Sequence, residues 1–260
     1  MKNFTNFVLI LFLLVAAPVL VHAQEMNEGW NFKLGTFFWA NDTDLKLENT
    51  APGGTSVSGV AAFEDVVQYA IPSLNLTFAA QKDKLSFHAN FFNVHLKNDI
   101  EASSGANRGV KLDIYIPEAF VGYEVLKTNV TDAVKLAIEP YAGVRYFSSR
   151  MLIDNVGGGE YRDTRRNATD AIFGAIATID IGEKMSVTLR GDAGGFGWGG
   201  ESNDSDYFGM AAFNWNYSKN KTITLGYADL KFTRDNVGQG SNINADVEFK
   251  GPILSHTFTF

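Results

Sequence analysis

Two stretches of this 260-residue chain set charged side chains at alternate positions among apolar ones. Lys135, Glu139 and Arg145 oppose Val134, Leu136, Ile138, Val144 and Tyr146, while Arg190 and Asp192 oppose Val187 and Leu189. A period of two puts the two sets on opposite faces of a strand. Charges collected on one face of a wall can line an aqueous passage, support acid–base chemistry, or neutralise one another. A buried charge without a partner costs on the order of several kcal/mol, so mutual pairing is expected among Lys33, Glu118, Glu124, Lys135, Glu139, Arg145, Arg190 and Asp192.

The catalytic option has little to build on. His88 shares a face with Ser86 and Asn90, His95 lies in a segment of undecided facing, and no histidine has an aspartate one or two residues away. A histidine in such a setting is ordinarily a hydrogen-bonded filler and less often a general base. Cysteine is absent, which removes disulfides, thiol catalysis and thiolate metal sites together. Asp154, Glu160, Asp163 and Asp170, or Glu201, Asp204 and Asp206, lack EF-hand spacing and read as solvated loop carboxylates, so neither metal nor cofactor is expected.

The elements that must position these side chains are strands. Alternation bounded by turn residues predicts ten, near 28–40, 71–81, 84–97, 109–126, 133–151, 168–181, 184–196, 207–217, 221–234 and 245–260. Their connections alternate between short ones (82–84, 127–132, 182–184, 218–221) and longer ones (41–70, 98–108, 152–167, 197–206, 235–244). Short inner turns, long outer loops and strands of bilayer-crossing length are the pattern of an outer-membrane barrel. Phe213, Trp215 and Tyr217 beside a short turn read as an interfacial aromatic girdle. The expected fold is therefore all-β, an antiparallel up-and-down transmembrane β-barrel of about ten strands. A soluble sandwich would use the same alternation with the faces inverted. Two segments change phase, at Pro117 and around Phe91 and Phe92, and a bulge is expected at Pro117. Within 41–70, Phe63, Val66, Val67 and Ala70 fall at helical spacing, which predicts a short helix that plugs the mouth or caps the rim.

The chain ends agree. Residues 1–23 combine Lys2, an apolar run from Phe7 to Val21 and Val21-His22-Ala23, which predicts a cleaved secretory signal ahead of a barrel domain at 24–260. In the last strand, Leu254, His256, Phe258 and Phe260 share a face and end on an aromatic residue. This resembles the C-terminal signal read by the Gram-negative barrel-assembly machinery.

Gly191-Asp192-Ala193-Gly194-Gly195-Phe196-Gly197, with Leu225-Gly226-Tyr227 and Gly251-Pro252, resembles a family of small Gram-negative outer-membrane β-barrel proteins without a defined activity. The resemblance spans Met185 to Phe260. It implies fold and location and brings no catalytic residues. Glycines 191, 195 and 197 would lie outward with Ala193, leaving one side of that strand thin.

The formal net charge of -7, one unit more negative once Lys2 is removed, argues against nucleic acid. The expected role is an integral outer-membrane protein without enzymatic activity, either a narrow porin-like channel or a structural and surface component. Lys135, Glu139, Arg145, Arg190 and Asp192 would line the channel. Its partners would be outer-membrane lipid and lipopolysaccharide, the assembly machinery and a small solute. Tyr161 to Arg166 is a basic patch that either meets lipopolysaccharide phosphates or is solvated. Two alternatives stay open: a barrel enzyme using His88, either a protease similar to the ten-stranded omptins or a lipid A-modifying enzyme, and an adhesin acting through 152–167 and 235–244.

Overall fold

The computed structural model describes residues 29–50, 56–61, 75–101, 107–155, 162–196, 204–235 and 243–260. The secretory segment, the helix expected at 63–70, Tyr161, Glu160, Glu201 and Gly197 lie outside them. The strands are β1 (Trp30–Trp39), β2 (Asp42–Asn49), β3 (Ser56–Ala61), β4 (Asn75–Lys82), β5 (Leu85–Glu101), β6 (Asn107–Tyr123), β7 (Leu126–Asn129), β8 (Val134–Asn155), β9 (Arg162–Ile181), β10 (Met185–Gly194), β11 (Ser205–Ser218), β12 (Lys221–Arg234) and β13 (Ile243–Thr259).

Ten of them close an antiparallel barrel in the order β1-β4-β5-β6-β8-β9-β10-β11-β12-β13, with β13 paired back onto β1. Closure abolishes the sheet edge that a spanning strand cannot leave unpaired in lipid. At the seam Leu254 pairs with Phe38 and Phe258 with Leu34, and the Phe260 and Phe32 backbones exchange two 2.9 Å hydrogen bonds. Short turns follow β4, β9 and β11, and the small strand β7 folds back onto β8 beneath the rim.

The segment after residue 41 is not a simple loop. β2 continues β1 along β13, with Asp42 opposite Lys250 as Trp39 is opposite Ile253, and β3 returns beside β2. The longer connections are also shorter than expected, because β5 runs on to Glu101, β6 starts at Asn107, β8 reaches Asn155 and β9 starts at Arg162. These extensions form a collar above the spanning wall.

The collar explains the phase changes. Pairing between β5 and β6 runs without slippage from Leu85 opposite Tyr123 to Glu101 opposite Asn107, so neither Pro117 nor Phe91 marks a bulge. The polarity of the two faces inverts instead. Below Pro117, Val121 and Tyr123 are exposed on the outside and Glu118 faces the lumen; above it, Ile114 and Ile116 are buried inside and Lys111 is exposed outside. The same inversion separates Tyr227 from Leu230 and Phe232 on β12, and Leu254 from Val247 and Phe249 on β13. Lipid demands an apolar exterior, whereas water above it permits an apolar interior, so one continuous strand serves two solvents.

Candidate functional site

The inverted collar fills its own lumen. Trp39 on β1 meets Phe92 on β5 at 4.7 Å between ring centroids, Phe92 meets Phe249 on β13 at 5.8 Å, Phe249 meets Phe232 on β12 at 6.4 Å, and Phe232 meets Phe147 on β8 at 4.9 Å. Only the Phe249–Phe232 contact joins neighbouring barrel strands; the other three link strands that are not paired, so the rings bridge the lumen. Phe232, Phe249 and Ile114 have no exposed surface. Offset and edge-on ring pairs at these separations pack as a protein core does.

A polar layer lies against this core. Arg145 on β8 donates from Nε (3.0 Å) and Nη2 (2.8 Å) to Glu118 Oε2 on β6, and from Nη2 to Asp192 Oδ1 on β10 (2.8 Å). Arg190 donates to Glu118 Oε1 (2.6 Å), Asp192 Oδ2 (2.9 Å) and the Tyr141 hydroxyl (2.8 Å), and its guanidinium stacks 4.5 Å from both Phe120 and Phe208. Asn90 donates to Glu118 Oε1 and the Tyr141 hydroxyl to Asp192. Arg145 Nη1 lies 3.2 Å from Asp206 Oδ1, an ion pair without hydrogen-bond geometry, while Arg234 on β12 pairs with Asp170 on β9. Such charges survive burial because each faces an opposite one, and all but Asp206 do so with directed hydrogen bonds.

Glycines make room for the large side chains of this layer. Gly143 is opposite Phe120 and Gly174 opposite Tyr141; a Cβ at Gly143 would collide with the Ala119 carbonyl and Phe120 Cβ, and one at Gly174 with Asp192 and the Tyr141 ring.

A cavity of about 500 Å³ runs beside the layer, from residues near the short turns to the aromatic core. Asn31, Lys33, Gln81 and Lys127 line its rim, and Trp39, Phe92, Phe120 and Arg190 close its far end. On its wall Ser86 Oγ donates to Glu139 Oε1 (2.6 Å), and His88 Nε2 lies 3.1 Å from Ser86 Oγ and 3.2 Å from Glu139 Oε1. One ring nitrogen thus meets both partners, whereas a nucleophile–base–orienter relay needs the carboxylate on the other nitrogen. His88 also stacks on Phe120 at 4.6 Å.

Of the five charged residues singled out for the lumen, Glu139, Arg145 and Arg190 line the cavity, and Asp192 lies behind them with its carboxylate fully buried. Lys135 does not line it: β8 extends beyond the closed wall there, and the side chain is exposed at the rim. Lys33 and Glu124 also stay outside the central network; Glu124 pairs with Lys127 at 3.4 Å. Tyr141, Asp170, Asp206 and Arg234 belong to the polar layer and were not anticipated. Parity with Glu139 and Arg145 would have found Tyr141, and parity with Leu230 and Phe232 would have found Arg234. Asp206 read as a loop carboxylate because β11 begins at Ser205, before the alternation suggested, whereas Asp170 lay inside the expected strand 168–181 and was grouped with the loop acids that precede it.

Gly191 lies outward in open space and Gly194 inward against Asp206. The strand stops at Gly194, so the expected outward row does not include Gly195. Gly195 at φ +95° and Phe196 at φ 47° turn the chain, and the Asp204 carbonyl leaves no space for a Cβ at Gly195. His95, whose facing was undecided, points outward with Nδ1 2.7 Å from Asp113 Oδ1. His256 also lies outward, 2.7 Å from the Tyr217 hydroxyl.

The fold is that of outer-membrane β-barrels. It is similar to the outer-membrane protease OmpT from Escherichia coli at 10% identity, over 90% of this chain and 97% of that one, with a TM-score of 0.50. Neisserial surface protein A matches at 15% identity over 90% of this chain and 98% of that one, with a TM-score of 0.33. Ail, the attachment invasion locus protein of Yersinia pestis, matches at 8% identity over 90% of this chain and 99% of that one, with a TM-score of 0.34. No family model and no curated protein sequence matches the chain.

Proposed function

We propose that this chain is an integral protein of the Gram-negative outer membrane whose barrel is closed, serving as a structural and surface component and not as a diffusion channel. The observation that carries the reading is the file of rings from Trp39 to Phe147 across the lumen, backed by the Arg145–Arg190 ion-pair layer. A water-filled path through either layer would need buried rings or paired charges to move apart. The location is supported by the exposed apolar exterior, with Tyr123, Trp215 and Tyr217 near the short-turn end and Phe38, Tyr146 and Tyr227 near the other. Insertion would use the assembly machinery, with Leu254, His256, Phe258 and Phe260 as the surface it reads.

The test is a swelling assay on liposomes holding the refolded chain, with a heat-modifiable gel band confirming the folded barrel. Swelling in small sugars at the rate of protein-free vesicles is expected. Swelling at a rate that rises with protein content would overturn the closed-barrel reading.

A further inference from the structure

The cavity beside the polar layer is reached by solvent. Asn31 and Lys33 line it and are exposed, and deeper in, the His88 and Glu139 side chains keep 23% and 16% of their surface. The charged groups on its wall are spent on one another. Glu118 holds Arg145 and Arg190, Glu139 accepts from Ser86 and lies against His88, and Glu124 pairs with Lys127. Lys33 and Asp180 line the cavity without an ion pair among the described residues, but they are opposite in sign and lie toward the short turns. A charged ligand would meet no unmatched countercharge in the interior and would lose its hydration there without compensation.

Neutral polar groups are differently placed. The hydroxyls of Thr77, Thr178 and Thr257, the amides of Asn31 and Gln81, and Nδ1 of His88 line the cavity and have no hydrogen-bond partner among the described residues. The Ser86 proton is committed to Glu139, and a carboxylate only accepts, so Nε2 of His88 must be the donor and Nδ1 presents a lone pair. Thr77 and Thr257 share one ladder row with Gly35 between them, on β4, β13 and β1. A Cβ at Gly35 would meet the Thr257 hydroxyl, so the glycine leaves open the space between the two hydroxyls. Thr178 on β9 faces them from the other side of the barrel, five strands from β1 in the closed order.

The far end of the same cavity offers the rings of Phe37, Trp39 and Phe208. Balanced charge, unspent hydroxyl and amide groups and flat apolar faces together match a ligand that is neutral, carries hydroxyls at its edge and C–H groups on its face. The cavity, at about 500 Å³, falls within the ~300–1,000 Å³ of small-molecule sites. We propose that it binds a neutral sugar of disaccharide size, whose hydroxyls replace water on Thr77, Thr178, Thr257 and His88 Nδ1 while a ring face rests on the aromatic end. Because the rings from Trp39 to Phe147 close the lumen beyond it, the sugar enters and leaves at the short-turn end, the periplasmic side of an outer-membrane barrel. Only this direction of entry rests on the closed-barrel reading.

The test is calorimetric titration of the full chain, refolded in a detergent without a sugar headgroup. The probes are maltose and N,N′-diacetylchitobiose, with maltobionate and protonated chitobiose as their charged counterparts. At least one neutral disaccharide should bind, and its charged counterpart should bind at least roughly tenfold more weakly. T77V/T178V keeps the shape of both side chains and removes two hydroxyls, which should weaken binding roughly 30-fold. T169V, on the outward face of β9, should leave it unchanged. If the double variant gives no heat-modifiable band, T178V alone decides, with a loss of roughly fivefold expected. No binding of either neutral disaccharide, equal affinity for the charged counterpart, or unchanged affinity in the hydroxyl variants would each overturn the inference. Absent binding beside swelling at the protein-free rate refutes this site alone, whereas intact binding beside swelling that rises with protein content refutes the closed barrel alone.

Discussion

Replacing Arg145 with Met removes the cation on which three carboxylates converge. The side chain is 1% exposed, donates three hydrogen bonds to Glu118 and Asp192, and forms the 3.2 Å ion pair with Asp206. After the change, Glu118 keeps Arg190 and Asn90, and Asp192 keeps Arg190 and Tyr141. Asp206 loses its ion pair and remains fully buried. Breaking a buried pair from one side costs about 3–5 kcal/mol, and Arg145→Met should fall in that range. Since much of the loss is the negative charge left behind, adding Asp206→Asn to the same chain should recover about 1 kcal/mol or more. Urea unfolding of barrels refolded in lipid vesicles, followed by tryptophan fluorescence and the heat-modifiable band, measures both. A loss below about 0.5 kcal/mol, or a double variant less stable than the single one by the full cost of a second change, would refute the argument.

Gly143→Ala should abolish the heat-modifiable band, because its Cβ has no space between Ala119 and Phe120, whereas Gly209→Ala, facing open space, should refold normally. Lys250→Gln should lower the unfolding free energy, from the urea midpoint, by less than about 1 kcal/mol, because its two ion pairs are solvent-screened. Deleting Phe260 should sharply reduce the assembled fraction in cells, read by surface labelling, yet refolding in detergent should change little because the losses are confined to one terminal residue, two backbone bonds to Phe32 and a ring contact with it at 6.0 Å.

The spanning wall could be read from sequence wherever one rule held. β12 alternates cleanly from Lys221 to Tyr227 because water or polar side chains lie on one side and lipid on the other. The rule failed where the outside solvent changes. Ile114 and Ile116 read as lipid-facing because an apolar row was taken to mean the exterior, and Pro117 then needed a bulge that the ladder does not contain. β2 shows the same failure. Thr43 and Leu45 turn inward while Asp44, Lys46 and Glu48 turn outward, an alternation present in the sequence but of inverted sense. Half of the polar layer followed from parity, since Arg145, Arg190 and Asp192 sit opposite lipid-facing residues. The long-range matches of Arg234 with Asp170 and of Arg145 with Asp206 depend on strand order and register, which no local pattern encodes.

Single-channel recording of the refolded chain in a planar bilayer tests the closed lumen most directly, run beside a variant with Phe92, Phe232 and Phe249 replaced by Ala. Those three rings connect Trp39 to Phe147 across the barrel. The unsubstituted protein should insert without current, and the triple variant, once its heat-modifiable band shows that it has folded, should give discrete steps. Discrete steps from the unsubstituted protein, unchanged in the variant, would contradict the account.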